Sequence, residues 1–77
     1  MMKFYELDFH HYCVEDAVRV VESIINYSRL NDERLECVFI TGRGKIQNEL
    51  IKLLKETYDL KPVIPMTNGG VVLVEVY

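Results

Sequence analysis

Two short stretches carry side chains able to do chemistry. In "LDFHH" (residues 7–11), Asp8 and His10 stand two apart. On an extended chain that spacing projects both from one face, where they can act on one atom. A carboxylate beside an imidazole fixes its tautomer or raises its pKa toward neutrality. Such a pair suits a general base and acid in phosphodiester hydrolysis. The second stretch, "FITGRGKIQNELIKLL" (residues 39–54), runs from apolar residues through Thr41-Gly42-Arg43-Gly44-Lys45 into an amphipathic pattern. A strand-to-helix junction of this kind turns free backbone N–H groups toward an anion. Gly42 and Gly44 leave the backbone open to close approach, and Arg43 and Lys45 bring charge that neutralises a phosphate. The Thr41 hydroxyl can bond a phosphate oxygen, although it does not titrate near neutral pH.

Each stretch also has a plain structural reading. Asp8 can bond the loop that follows it, and His10 and His11 can be solvent-facing residues at a strand end. Gly42-Arg43-Gly44 can be a tight corner, since it lacks both the Lys-Ser/Thr ending of a P-loop and the third glycine of a dinucleotide fingerprint. Cys13 reads as a small residue at a helix N-cap, and Tyr12 and Tyr27 as surface packing. Cys13 and Cys37 do not form a metal-ligand spacing. Glu6 and Asp8 are too few to argue for a metal site. No cofactor is expected, and the spacing leaves open whether a divalent metal takes part.

Periodicity supplies the elements that must position these residues. "KFYELDF" (residues 3–9) alternates, with Tyr5, Leu7 and Phe9 on one side and Phe4, Glu6 and Asp8 on the other, as in a strand with one buried face. Val14, Ala17, Val18, Val21, Ile24, Ile25 and Ser28 form a helical stripe, with Glu15 and Asp16 in its first turn. "LECVFIT" (residues 35–41) is nearly continuous in apolar and β-prone residues and predicts a central strand. Ile46, Leu50, Leu53, Leu54 and Thr57 mark a second helical stripe. "VIPM" (residues 63–66) predicts a short edge strand interrupted by Pro65. "TNGG" predicts a hairpin turn in which glycine supplies a positive φ, and "VVLVEVY" predicts a last strand with Val72, Val74 and Val76 on one face. The order β-α-β-α-β-β implies an α/β two-layer sandwich: a four-stranded mixed sheet with two helices on one face. The uncovered face would carry Phe4, Val38, Ile40, Leu73 and Tyr77 beside Glu6, Glu36 and Glu75. That mixture is apolar enough to suggest a homo-oligomer formed through this face.

Size and composition narrow the classes. At 77 residues the chain is one domain, spanning residues 1–77. Its net charge of −3 argues against broad, sequence-blind binding to nucleic acid, which depends on many lysines and arginines. Local sites remain open, because Arg43, Lys45, Lys52 and Lys55 gather around the second stretch while acids cluster elsewhere. No apolar run approaches the roughly 20 residues of a membrane helix, so no membrane partner is expected. Acidic residues appear by position 6, unlike a secretory signal, and the two thiols read as reduced in a cytoplasm.

Taken in order, "LDFHHYCVEDAVRVVESII", "VFITGRGKIQNELIKLL" and "NGGVVLVEV" resemble the small MutS-related (Smr) domain family. In that family a strand ending Leu-Asp-x-His precedes a helix opening Val-Glu-Glu-Ala, and a second strand ends in His-Gly-x-Gly. Leu7, Asp8 and His10 match the first motif, Val14, Glu15, Asp16 and Ala17 the helix opening, and Gly42 and Gly44 the second motif. The likeness runs from Leu7 to Val76. It implies a fold similar to the C-terminal domain of translation initiation factor 3. It also implies nucleic-acid binding, with endonuclease activity on DNA or RNA. The family's glycine after Leu-Asp-x-His is His11 here, the histidine of His-Gly-x-Gly is Thr41, and a further glycine is Ile46. A scheme with two titrating histidines would therefore need His11 as the second. The expected catalytic residues are Asp8 and His10. The expected phosphate-binding residues are His11, Thr41, Gly42, Arg43, Gly44 and Lys45. Two other readings stand beside this one. One is a non-catalytic module for nucleic-acid ends, nucleotides or a phosphorylated small molecule. The other is a protein-interaction adaptor that uses the open sheet face.

Overall fold

A computed structural model of the chain describes residues 3–77; residues 1 and 2 of the expected domain lie outside the described residues. Strand β1 (Lys3–Asp8) leads to helix α1 (Val14–Leu30), strand β2 (Leu35–Ile40), helix α2 (Lys45–Lys52) and strand β3 (Val71–Val76). A π-helical turn over Leu53–Thr57 continues α2. The strands form one three-stranded sheet in the order β1-β2-β3. β1 and β2 are parallel, with Asp8 opposite Ile40. β2 and β3 are antiparallel, with Ile40 opposite Val71.

The core forms where the strand and helix periods agree on one layer. Leu35, Cys37 and Phe39 of β2 and Val72, Val74 and Val76 of β3 are buried together with Ala17, Val21 and Ile25 of α1 and with Leu50 and Leu54. Phe9, one residue past β1, is also in this cluster and meets Phe39 with ring centroids 5.5 Å apart. Ser28, on the buried stripe of α1, bonds the Glu33 and Val76 carbonyls, which fastens the end of the helix to the end of β3. Both helical segments stop at an aspartate with left-handed φ, Asp32 (50°) and Asp59 (53°). After the second of these, Leu60 N–H reaches back to the Leu54 carbonyl at 2.8 Å and satisfies a terminal carbonyl.

The expected fourth strand is absent. Val63 alone pairs with β3, exchanging both hydrogen bonds with Leu73 at 2.8 Å. Pro62 and Pro65 flank it, and neither has an N–H with which to extend a ladder. The "TNGG" segment also differs from the expected hairpin. Gly42 is the glycine with left-handed φ (71°), and Gly69 and Gly70 are not. This turn folds toward the loop after β2, where Gly70 oxygen accepts from both Thr41 N–H (2.9 Å) and Gly42 N–H (3.0 Å). Thr57, expected on the buried stripe, is exposed. The wider π turn takes more residues per turn, which carries Thr57 off the line set by Leu50 and Leu54.

The second face of the sheet holds the predicted set. Phe4, Glu36 and Glu75 form one cross-strand row, and Glu6, Val38 and Leu73 the next. No helix of the described residues is long and apolar enough to cross a membrane.

Candidate functional site

The carboxyl ends of β1 and β2 are joined beyond their last paired residues. Phe9 N–H donates to Ile40 oxygen at 2.8 Å, so His10 and Thr41 leave the sheet side by side on neighbouring strands. Burial of Phe9 on the core side fixes the chain at this point and sends Asp8 to the opposite face.

Asp8, His10 and His11 form one cluster. Asp8 Oδ1 accepts from the His10 backbone N–H at 3.0 Å and stands 3.0 Å from His10 Nδ1. An ionised carboxylate only accepts, so it is Nδ1 that donates in this contact, and Nε2 points away from it. The backbone bond, and then the ring bond, hold the Asp8 carboxyl below its ordinary value. The His11 ring lies against that of His10, with centroids 3.7 Å apart. All three side chains are exposed, so this is an open rim rather than an enclosed cavity.

The second cluster is built around the turn at residues 67–70. Thr41 is 6% exposed, and its hydroxyl donates to Gly42 oxygen at 2.8 Å, with Gly70 oxygen at 3.3 Å. The residue expected to offer a hydroxyl to phosphate is therefore occupied in joining two loops. Gly42, Arg43, Gly44 and Lys45 are exposed at the rim. Gly44 caps α2 without a side-chain hydrogen bond, and no acid stands in the first turn to offset this positive helix end. Arg43 lies across the Cα of Gly69, where an added Cβ would come 2.8 Å from Nε and 3.1 Å from Cζ. Among the described residues its guanidinium makes no hydrogen bond or ion pair.

Sequence reasoning missed two supports of this loop. Gln47 is buried and donates from Nε2 to the Gly69 carbonyl at 2.7 Å. Asn68 Oδ1 accepts from Gly70 N–H at 3.0 Å and tightens the turn. A signal for the first was present: Gln47 falls in line with Leu50 and Leu54 at i, i+3 and i+7, and a polar residue on a buried stripe needs a partner. The Phe9 N–H to Ile40 oxygen bond joins the two strands just before they lead into these clusters. No group of three or more His, Cys, Asp or Glu residues able to hold a metal ion occurs among the described residues.

Neither a family model, nor a curated protein, nor a solved structure matches this chain.

Proposed function

We propose that the chain is a small MutS-related type of domain that binds the phosphate backbone of nucleic acid at this rim, and that His10, oriented by Asp8, moves protons there in phosphodiester hydrolysis. The observation that carries the reading is the Asp8–His10 contact at 3.0 Å, standing where β1 and β2 leave the sheet together at the end from which the Arg43 loop also departs. With Nδ1 held by Asp8, Nε2 is the atom available to take a proton from water as its oxygen attacks phosphorus. The bond from phosphorus to the leaving oxygen then breaks, and the imidazolium returns a proton to that oxygen. Arg43, the uncapped N–H groups at the start of α2 and Lys45 supply the positive field for the phosphate.

A second reading, binding without cleavage, is favoured by Thr41. Its hydroxyl is committed to the Gly42 and Gly70 carbonyls, and it stands where the family pattern has a histidine. Titrating fluorescent single strands and duplexes at several salt concentrations tests the binding. Arg43→Ala should weaken it and flatten the logarithmic salt slope by about 0.7–0.9, the share of one phosphate contact. An unchanged slope removes Arg43 from the interface. Incubation with plasmid and structured RNA, with His10→Ala as control, separates the two readings: cleavage lost in the variant supports hydrolysis, whereas binding without cleavage in the parent supports the second.

A further inference from the structure

We infer that the outer edge of β1 is a dimer interface, on which a second copy of this chain lays its own β1 antiparallel and extends the sheet across a two-fold axis at Tyr5. The inference does not depend on the reading of the rim.

Hydrogen bonding along β1 fixes which way each backbone group points. Lys3 N–H donates to Arg34 oxygen and Phe9 N–H to Ile40 oxygen, so the odd-numbered residues of β1 face β2. In a parallel ladder the alternate residues then turn both N–H and C=O away. Phe4, Glu6 and Asp8 thus present a row of unpaired donors and acceptors, and no strand of the described residues lies on that side. Such an edge is a template for another strand. Beside it runs an apolar groove between β1 and α1, lined by Tyr5, Leu7, Val20, Ile24 and Tyr27. Phe4 on the edge itself is 59% exposed.

The edge is self-complementary in one register. Outward-facing residues can exchange hydrogen bonds only with outward-facing residues, which leaves five two-fold arrangements. Glu6 opposite Glu6, Glu6 opposite Asp8 and Asp8 opposite Asp8 each set two carboxylates directly against each other and are unfavourable. Phe4 opposite Phe4 leaves both Glu6 and Asp8 without a partner inside the other β1. Phe4 opposite Glu6 leaves only Asp8 outside the pairing, and each copy's Phe4 exchanges both bonds with the other's Glu6. This register brings Tyr5 against Tyr5 as the non-hydrogen-bonded pair, in which side chains approach most closely. On the helix side the row Val74–Cys37–Tyr5 then continues into Tyr5, Cys37 and Val74 of the second copy, apolar throughout. The grooves lined by Val20, Ile24 and Tyr27 come together over it.

Two further observations favour this pairing. On the opposite edge of the sheet Val63 takes both hydrogen bonds of Leu73, and its neighbours Pro62 and Pro65 have no N–H. Pairing through β1 therefore closes as a dimer instead of propagating. Association through the open face is disfavoured because Glu36 stands directly opposite Glu75 there, with Glu6 in the next row. Stacking two such faces would bring carboxylates together away from water.

Sedimentation of the full chain over micromolar to millimolar concentrations tests the proposal, with a reversible monomer–dimer equilibrium expected. Glu6→Pro deletes an outward N–H in each copy and leaves the hydrogen bonds to β2 in place, so the dimer Kd should rise about tenfold or more. Tyr5→Cys, in a Cys13→Ser background, should give an intermolecular disulfide on mild oxidation, and Glu6→Cys should not, because only position 5 faces itself. A chain that is monomeric at every concentration overturns the proposal. So does a dimer indifferent to Glu6→Pro that gives no Tyr5→Cys disulfide. Amide protection of Phe4 and Glu6 that appears only when a different protein is added assigns the edge to that partner, which also overturns it.

Discussion

Replacing Gln47 by methionine tests whether the turn at residues 67–70 is locked to α2. Methionine keeps nearly the same length and volume and a similar helix propensity, so neither a cavity nor a weakened helix enters the comparison. What is lost is the 2.7 Å bond from Gln47 Nε2 to the Gly69 carbonyl. Gln47 is only 7% exposed, and no other donor among the described residues reaches that carbonyl. Removing one partner of a buried hydrogen bond leaves the other desolvated and unpaired, at a cost of about 1–3 kcal/mol. In a domain of this size each kcal/mol moves the melting point by about 4–8 °C, so the variant should melt roughly 4–24 °C below the parent. Thermal unfolding followed by far-ultraviolet circular dichroism is the assay, with Asn48→Ala as a neighbouring exposed control expected to stay within about 0.5 kcal/mol. If Gln47→Met melts together with the control, the bond contributes nothing, and the loop must be held by the bonds to the Gly70 carbonyl and by Asn68.

Three other outcomes follow from particular contacts. Gly69→Ala adds a Cβ that must displace the mobile end of Arg43 and meets no other atom within 3.0 Å. Its melting point should stay near that of the parent while strand affinity falls toward the Arg43→Ala value; parental affinity would mean that the guanidinium does not act from this position. Asp8 has a folded-state pKa below its ordinary value of 3.8. Its contribution to stability is therefore present above that value and lost as pH falls through the depressed one. Urea midpoints of the parent should exceed those of Asp8→Asn near neutrality and converge with them in acid, and a gap that widens on acidification would reverse the assigned sign. Alkylation of the folded protein should modify Cys13, which is exposed, and spare Cys37, whose thiol burial pushes up to about 11. Mass spectrometry should find a single adduct until the chain is unfolded, and early double labelling would show that the core around Cys37 opens readily.

The parts of the fold legible in the sequence are those set by a strong period. The alternation in Val72, Val74 and Val76, the stripe through Ala17, Val21 and Ile25, and the continuous run of β2 each point to a buried surface, and all three meet in the core. What the periods do not carry is tertiary hydrogen bonding. "VIPM" has the composition of an edge strand, but two prolines leave Val63 as its only pairing residue. "TNGG" has the composition of a hairpin turn, but its carbonyls serve Thr41, Gly42 and Gln47 across the molecule. The site divides in the same way. Asp8 and His10 are in contact because the chain turns after β1 and the Asp8 carboxylate accepts from the His10 backbone N–H, as in the plain loop-bonding reading, and not because both stand on one extended strand. The task of Thr41 was hidden, since its partner Gly70 lies 29 positions away.

Thr41 explains why the rim can be both exposed and ordered. A loop that presents arginine and bare helix N–H groups to solvent gains no burial from the residues it displays, so it must be held from beneath. Gly70 oxygen takes hydrogen bonds from Thr41 N–H, Gly42 N–H and the Thr41 hydroxyl, and the backbone at Gly42 comes close enough that a Cβ on Gly70 would meet its Cα at 3.4 Å. Gln47 fixes the adjacent carbonyl from the start of α2. The two glycine-bearing loops are thereby joined to one another and to the helix, and Arg43 rests on the flat surface that Gly69 leaves. Arg43 and Lys45 are both exposed and neither is bonded among the described residues, so each must be ordered when it engages a ligand. A titrating side chain at position 41 would have to give up the hydroxyl bond that joins the loops. In this chain that position joins the two glycine-bearing loops, and the histidines exposed at the rim are His10 and His11.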